Sequence, residues 1–135
     1  HSTTAQTYRI NGHLRNMTIV FAKELTLESV RESLEHRRTL AYSFGVLAGE
    51  ESLLKEFFTA SIATRKISAS KKSAKVQLTN TTSIPFVVRI GKGNPINIPA
   101  FCSVIVSAKA GKPVNCTVLS MWSGMEQHPT VNLKY

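Results

Sequence analysis

From Lys75 to Tyr135 apolar side chains return at every second position, a period that confines this half of the chain to short β-strands. Val76 and Leu78 alternate with Lys75, Gln77 and Thr79, and Phe86, Val88 and Ile90 alternate with Val87 and Arg89. Cys102, Val104 and Val106 point one way with Ser103, Ile105 and Ser107 the other; Val114, Cys116 and Val118 repeat the pattern, as do Val131, Leu133 and Tyr135. "NTTS" and "GKGNP" supply turns, and Pro95 and Pro99 bracket a short segment. Short strands of this kind, punctuated by Gly, Pro and Asn, predict a small antiparallel Ig-like β-sandwich over residues 75–135.

Residues 1–62 follow another pattern. Met17 to Ala22 is a short apolar run suited to a strand buried on both faces of a parallel sheet. A helix is predicted next: Thr26 suits its N-cap and Glu28 its first turn. Leu27, Val30 and Leu34 form its apolar face, and His36, Arg37 and Arg38 crowd its C-terminal end. Thr39 to Ser43 then reads as a second strand, which makes the unit a right-handed βαβ crossover. Gly45 and Gly49 bracket a loop. Glu50 to Ile62 reads as a second helix, with Leu53, Leu54, Phe57, Phe58 and Ile62 toward one side, placed to dock the two parts together. Between them residues 63–74, cationic and rich in Ser, read as a basic connection or an exposed edge strand. The fold class expected is α+β: a terminal βαβ unit and a second helix, followed by the sandwich.

The charge is divided as unevenly as the periodicity. Seven Lys or Arg face seven Glu from His1 to Ile62, whereas Ala63 to Tyr135 carries ten basic residues and one acid, Glu126. The formal net charge of +9 thus resides in the second part, which should seek an acidic partner. No apolar run approaches the roughly 18 residues of a membrane span, so no span is expected.

Catalytic constellations are poorly represented. The sequence contains no aspartate, and its four histidines, His1, His13, His36 and His128, are scattered without short ligand spacing. A hydrolytic metal site needs several imidazoles and carboxylates at one point, and a triad needs a carboxylate behind its histidine. His36 is placed to complement a helix dipole, and His128, before Pro129, to sit in a turn. Gly91-Lys92-Gly93 is followed by Asn94 and Pro95 where a phosphate loop would open a helix, so it reads as a β-turn.

Cys102 and Cys116 are read on a hairpin turning near Gly111 and Lys112, roughly 16 Å apart. That is beyond the about 7 Å reach of a disulfide, and buried free thiols are expected.

Arg65, Lys66, Lys71, Lys72 and Lys75 form the candidate anion-binding stripe. Interleaved aromatics for base stacking are missing from it, so nucleic acid is not the expected partner, and a solvated edge guarded by lysines is the simpler account.

The segment "RNMTIVFAKELTLESVRESLEHRRTLAYS" resembles the closing strand, helix and strand of PHP domains, the polymerase and histidinol phosphatase family. There an apolar strand precedes a "T-x-E-S-x-x-E-x-L" helix and an "R-R-T" entry to the next strand. "VQLTNTTSIPF" and "HPTVNLKY" resemble the small β-domain that follows the PHP barrel in a group of bacterial phosphodiesterase-like proteins. The resemblance implies that this chain is the C-terminal part of a metal-dependent phosphoesterase, in a secreted or periplasmic bacterial setting. Zinc or manganese would be held by an upstream catalytic domain and no cofactor by this chain. His1 would match the histidine of the family's last Asp-x-His ligand motif, although its aspartate is absent. The partners implied are that upstream domain and an anionic substrate. A free-standing binding module for an acidic glycan or nucleic acid is the rival expectation.

Overall fold

A computed structural model describes residues 9–10 and 13–135. β1 (Arg9–Ile10) and β2 (His13–Leu14) form a short antiparallel ladder ahead of the larger sheets. The apolar run then enters a sheet whose next strand returns antiparallel. β3 (Met17–Val20) pairs with β4 (Thr39–Ser43) in the register Met17↔Tyr42, Thr18↔Ala41, Ile19↔Leu40 and Val20↔Thr39.

The parallel βαβ crossover is therefore corrected. Phe21 N donates to Arg38 O at 3.0 Å, so the ladder continues past β3 and closes residues 22–37 into a wide hairpin loop. The helix inside that loop, α1 (Leu27–Glu35), has nine residues and is about 13.5 Å long. It is pinned at the strand end: Ser33 Oγ donates to Phe21 O at 2.7 Å, and Arg38 N to Ser33 O at 2.9 Å. A crossover would need the helix to run back along the strand before the chain re-entered the sheet.

Local signals in α1 act as read. Thr26 Oγ1 accepts from Ser29 N at 3.2 Å, which satisfies a free donor of the first turn. The Arg38 guanidinium, 3.1 Å from Glu32, holds that carboxyl below its ordinary pKa. The apolar face does not behave as expected, however. Leu27 and Leu34 are 76% and 52% exposed, and the buried residue of α1 is Ser33.

β4 turns into β5 (Val46–Ala48) through Phe44 and Gly45, both at positive φ (47° and 83°). A two-residue hairpin whose twist matches its strands requires this. β12 (Met121–Trp122) adds in parallel to β5, so the first sheet has the order β12-β5-β4-β3. α2 (Glu51–Ser61) buries Leu54 and Phe58 completely, with Phe58 edge-on to Phe86 at 5.2 Å and Phe57 edge-on to Phe21 at 5.7 Å.

Period two governs the rest. β6 (Ile62–Ala69), β7 (Ser73–Asn80) and β10 (Ser103–Lys109) make an antiparallel sheet in the order β10-β7-β6. β8 (Phe86–Ile90), β9 (Pro95–Ile98), β11 (Val114–Val118) and β13 (Thr130–Leu133) make another, in the order β13-β11-β8-β9. Residues 63–74 thus form the edge strand β6 with its turn into β7.

The hairpin read at Gly111 and Lys112 is corrected, because β10 makes a seven-pair ladder with β7 while β11 pairs with β8 and β13. That turn carries the chain from one sheet to the other. Cys102 is exposed, contrary to expectation, since it precedes β10, and Cys116 is buried.

The architecture is α+β, rich in antiparallel sheet, with two helices among the described residues. Its buried side chains form one cluster, from Leu40, Tyr42 and Leu47 through Leu54 and Phe58 to Val76, Phe86, Val118 and Leu133.

Candidate functional site

His1 lies outside the described residues. His36 and His128 sit on separate elements, and each places Nδ1 2.8 Å from a backbone carbonyl, of Glu32 and of Met121 respectively. No three His, Cys, Asp or Glu side chains converge to hold a metal ion among the described residues. A two- or three-metal cluster of the phosphoesterase type therefore does not fit the described residues.

The basic stripe separates once it is folded. On edge strand β6, Arg65 lies opposite Gln77 and Lys66 opposite Val76. Successive residues of a strand face opposite sides, so Arg65 shares the outer face with Lys75 while Lys66 takes the side of the buried Val76 row. Lys75 Nζ donates to Ser107 Oγ at 2.8 Å across the β7–β10 ladder. Lys71 and Lys72 occupy the β6–β7 turn, where Ser70 N donates to Ser73 O at 2.7 Å.

Two lysines missed by the sequence reading join this turn. Ala110 N donates to Lys72 O at 3.2 Å and Lys112 N to Lys109 O at 3.1 Å, so the β10–β11 turn stands against the β6–β7 turn. Tyr135 Oη anchors it by donating to Lys109 O at 3.1 Å. Lys71, Lys72, Lys109 and Lys112, all exposed, thus cluster at one end of the structure. The spacing "KAGKP" held the only available signal, and it becomes informative only when the two turns are known to meet. The ion pairs Arg38–Glu32 and Lys55–Glu51 both lie before Ile62, so no carboxylate neutralises this cluster among the described residues. Four ammonium groups around adjoining turns concentrate positive charge at this end, a field that salt screens.

Cys116 is fully buried, and burial pushes its thiol up to about 12, away from any nucleophilic role near neutral pH. Trp122 packs edge-on to His128 with centroids 4.9 Å apart and stays 37% exposed.

No protein-family model matches this chain, and no curated protein matches it. Among solved structures, the chain is similar to a two-domain protein from Bacteroides vulgatus ATCC 8482, described as containing a predicted PHP-like metal-dependent phosphoesterase. The TM-score is 0.80 at 24% sequence identity, over 92% of this chain. The chain spans 40% of the length of that structure, and what the two share is the fold of that portion.

Proposed function

We propose that this chain is the C-terminal accessory part of a PHP-type metal-dependent phosphoesterase, which supports or orients a catalytic domain not contained in these residues. The carrying observation is the likeness over 92% of the chain to 40% of a two-domain protein described as PHP-like. The division at residues 62 and 75, the Ig-like character of the sandwich, and a secreted or periplasmic bacterial setting belong to the same proposal. Divalent metals such as zinc or manganese then reside in the catalytic domain, and the chain's own part is structural. The test is phosphodiester hydrolysis and bound metal, measured side by side for this chain and for the natural polypeptide that contains it. Turnover and metal are expected in the longer polypeptide alone. A tightly bound di-metal centre with turnover in the 135 residues would overturn the proposal.

A second reading, a binding module for an acidic glycan, draws on the lysines at the two adjoining turns. It requires salt-sensitive binding of a sulfated or uronic polysaccharide by the isolated chain. Absence of binding at low ionic strength removes it.

A further inference from the structure

The large apolar side chains that remain exposed are unevenly distributed. Leu25, Leu27, Leu34, Phe44, Val46, Trp122 and Met125 belong to the first sheet, its turn, its helical excursion or the loop after β12. Ile67, Phe101 and Ile105 are those found elsewhere among the described residues.

The first sheet is covered on one face. The row Met17, Tyr42, Leu47 and Met121, with the pair Ile19 and Leu40, joins the core. The other face carries the row Thr18, Ala41, Ala48 and Trp122, flanked by the pairs Ser43–Val46 and Val20–Thr39. None of these eight side chains is charged. An antiparallel sheet facing water ordinarily turns polar and charged groups outward, as the sandwich does with Arg65, Lys75, Arg89 and Lys109. Both ends of the uncharged face finish in solvent-facing apolar groups. Phe44, 87% exposed, stands at the β4–β5 turn; Leu25 and Leu27, at 101% and 76%, ride on the excursion that leaves at Phe21 and rejoins at Arg38.

We infer that this face, with Thr18, Ala41, Ala48 and Trp122 at its centre, is the surface on which a PHP-like catalytic domain docks. The inference rests on the accessory reading above and names the surface through which that role is exercised. Depletion of charge with an aromatic anchor is the composition of an interface core. The eight side chains of this row and its flanking pairs offer a polyanion no cation. The occupant is argued from the solved neighbour: there the matched fold is 40% of a two-domain chain described as containing a PHP-like phosphoesterase, and the larger part of that chain lies outside the match. The Trp122 ring, held edge-on by His128, is already ordered for such a contact.

Thiol footprinting tests this. Ala41→Cys and, separately, Ala48→Cys are placed in a Cys102→Ser background, leaving the buried Cys116 as the remaining thiol. Maleimide labelling is compared between this chain and the natural polypeptide that contains it, with Ser107→Cys on the outer sandwich face as reference. Both test positions are expected to label freely in the chain alone and at least about tenfold more slowly in the longer polypeptide, with the reference unchanged. Equal labelling in a longer polypeptide that hydrolyses phosphodiesters overturns the docking surface and leaves the accessory reading standing. Protection in the chain alone that grows with its concentration overturns it in favour of a second copy. A longer polypeptide without metal or hydrolysis overturns the accessory reading itself, and the docking surface with it.

Discussion

Met121 lies directly opposite Leu47 across the parallel pair of β12 and β5, and both side chains are buried. β12 follows β11 closely in sequence, yet it pairs with the first sheet and not with the sheet β13-β11-β8-β9. Leu47 N donates to Ser120 O at 2.9 Å and Gly49 N to Trp122 O at 3.3 Å, so β5 and β12, distant in sequence, are tied by backbone as well as by packing.

Met121→Ala is expected to lower stability by about 2–5 kcal/mol through lost burial and a residual cavity. Urea unfolding followed by Trp122 fluorescence and by far-ultraviolet circular dichroism should give one coincident transition. Two separated transitions would show that the β12–β5 pair does not couple the first sheet to the two sheets that follow it.

Gly49 sits where any side chain would strike the sheet. A Cβ there would collide with Leu40 Cδ2 and lie 3.4 Å from Thr39 O. Gly49→Ala should therefore cost about 1–3 kcal/mol by overpacking. The thermal midpoint reads this directly, and an unchanged midpoint would mean that Leu40 can repack freely.

Asn80 is fully buried, and its amide holds the turn after β7 together. Nδ2 donates to Ile84 O at 2.7 Å and to Pro99 O at 3.2 Å, while Oδ1 accepts from Thr82 N at 2.9 Å and Thr82 Oγ1 at 2.8 Å. Asn80→Leu fills a similar volume but strands these partners, so a loss of about 2–4 kcal/mol is expected from chemical denaturation. A loss no larger than that of an exposed substitution would contradict the network's role.

Cys116 makes stability depend on alkaline pH. Its thiol ionises near 9 when free and near 12 in the fold, so between these values the unfolded chain holds fewer protons than the folded one. Stability is fully present below pH 9 and falls as pH rises toward 12, by up to about 1.4 kcal/mol per unit from this group. Cys116→Ser should flatten that part of the stability curve. A thiol reagent at pH 8 should titrate Cys102 alone in the folded chain, and rapid reaction of Cys116 would refute its burial.

The lysines at the adjoining turns should act together. On the acidic-glycan reading, Lys71→Ala with Lys72→Ala, and Lys109→Ala with Lys112→Ala, each weaken binding of a sulfated polysaccharide. Each pair should also flatten the dependence of log K on log salt by about one to two. Arg65→Ala, away from the turns, should change it less. An equal effect of Arg65→Ala would return the site to the edge strand.

Much of the local structure was legible because short-range chemistry determines it. The Thr26 cap, the strand Thr39–Ser43, the apolar side of α2 and the two-residue alternation through β7, β8 and β11 are all found. Each depends on neighbours within a few residues, which sequence periodicity records. The candidate site was half legible. Lys71 and Lys72 were visible as a charge run, but Lys109 and Lys112 join them only through the Ala110–Lys72 hydrogen bond.

Charge asymmetry, the absence of aspartate and the change of period near Lys75 belong to the sequence by itself, and the alternation after Lys75 specifies short strands there. Strand direction and partnership were decided only in three dimensions. Met17–Val20 is equally apolar beside a parallel or an antiparallel neighbour, and β10 buries the same residues against β7 as it would in a hairpin with β11. Alternation states which side of a strand seeks the core; which strand lies beside it follows from how all the apolar faces can be covered at once.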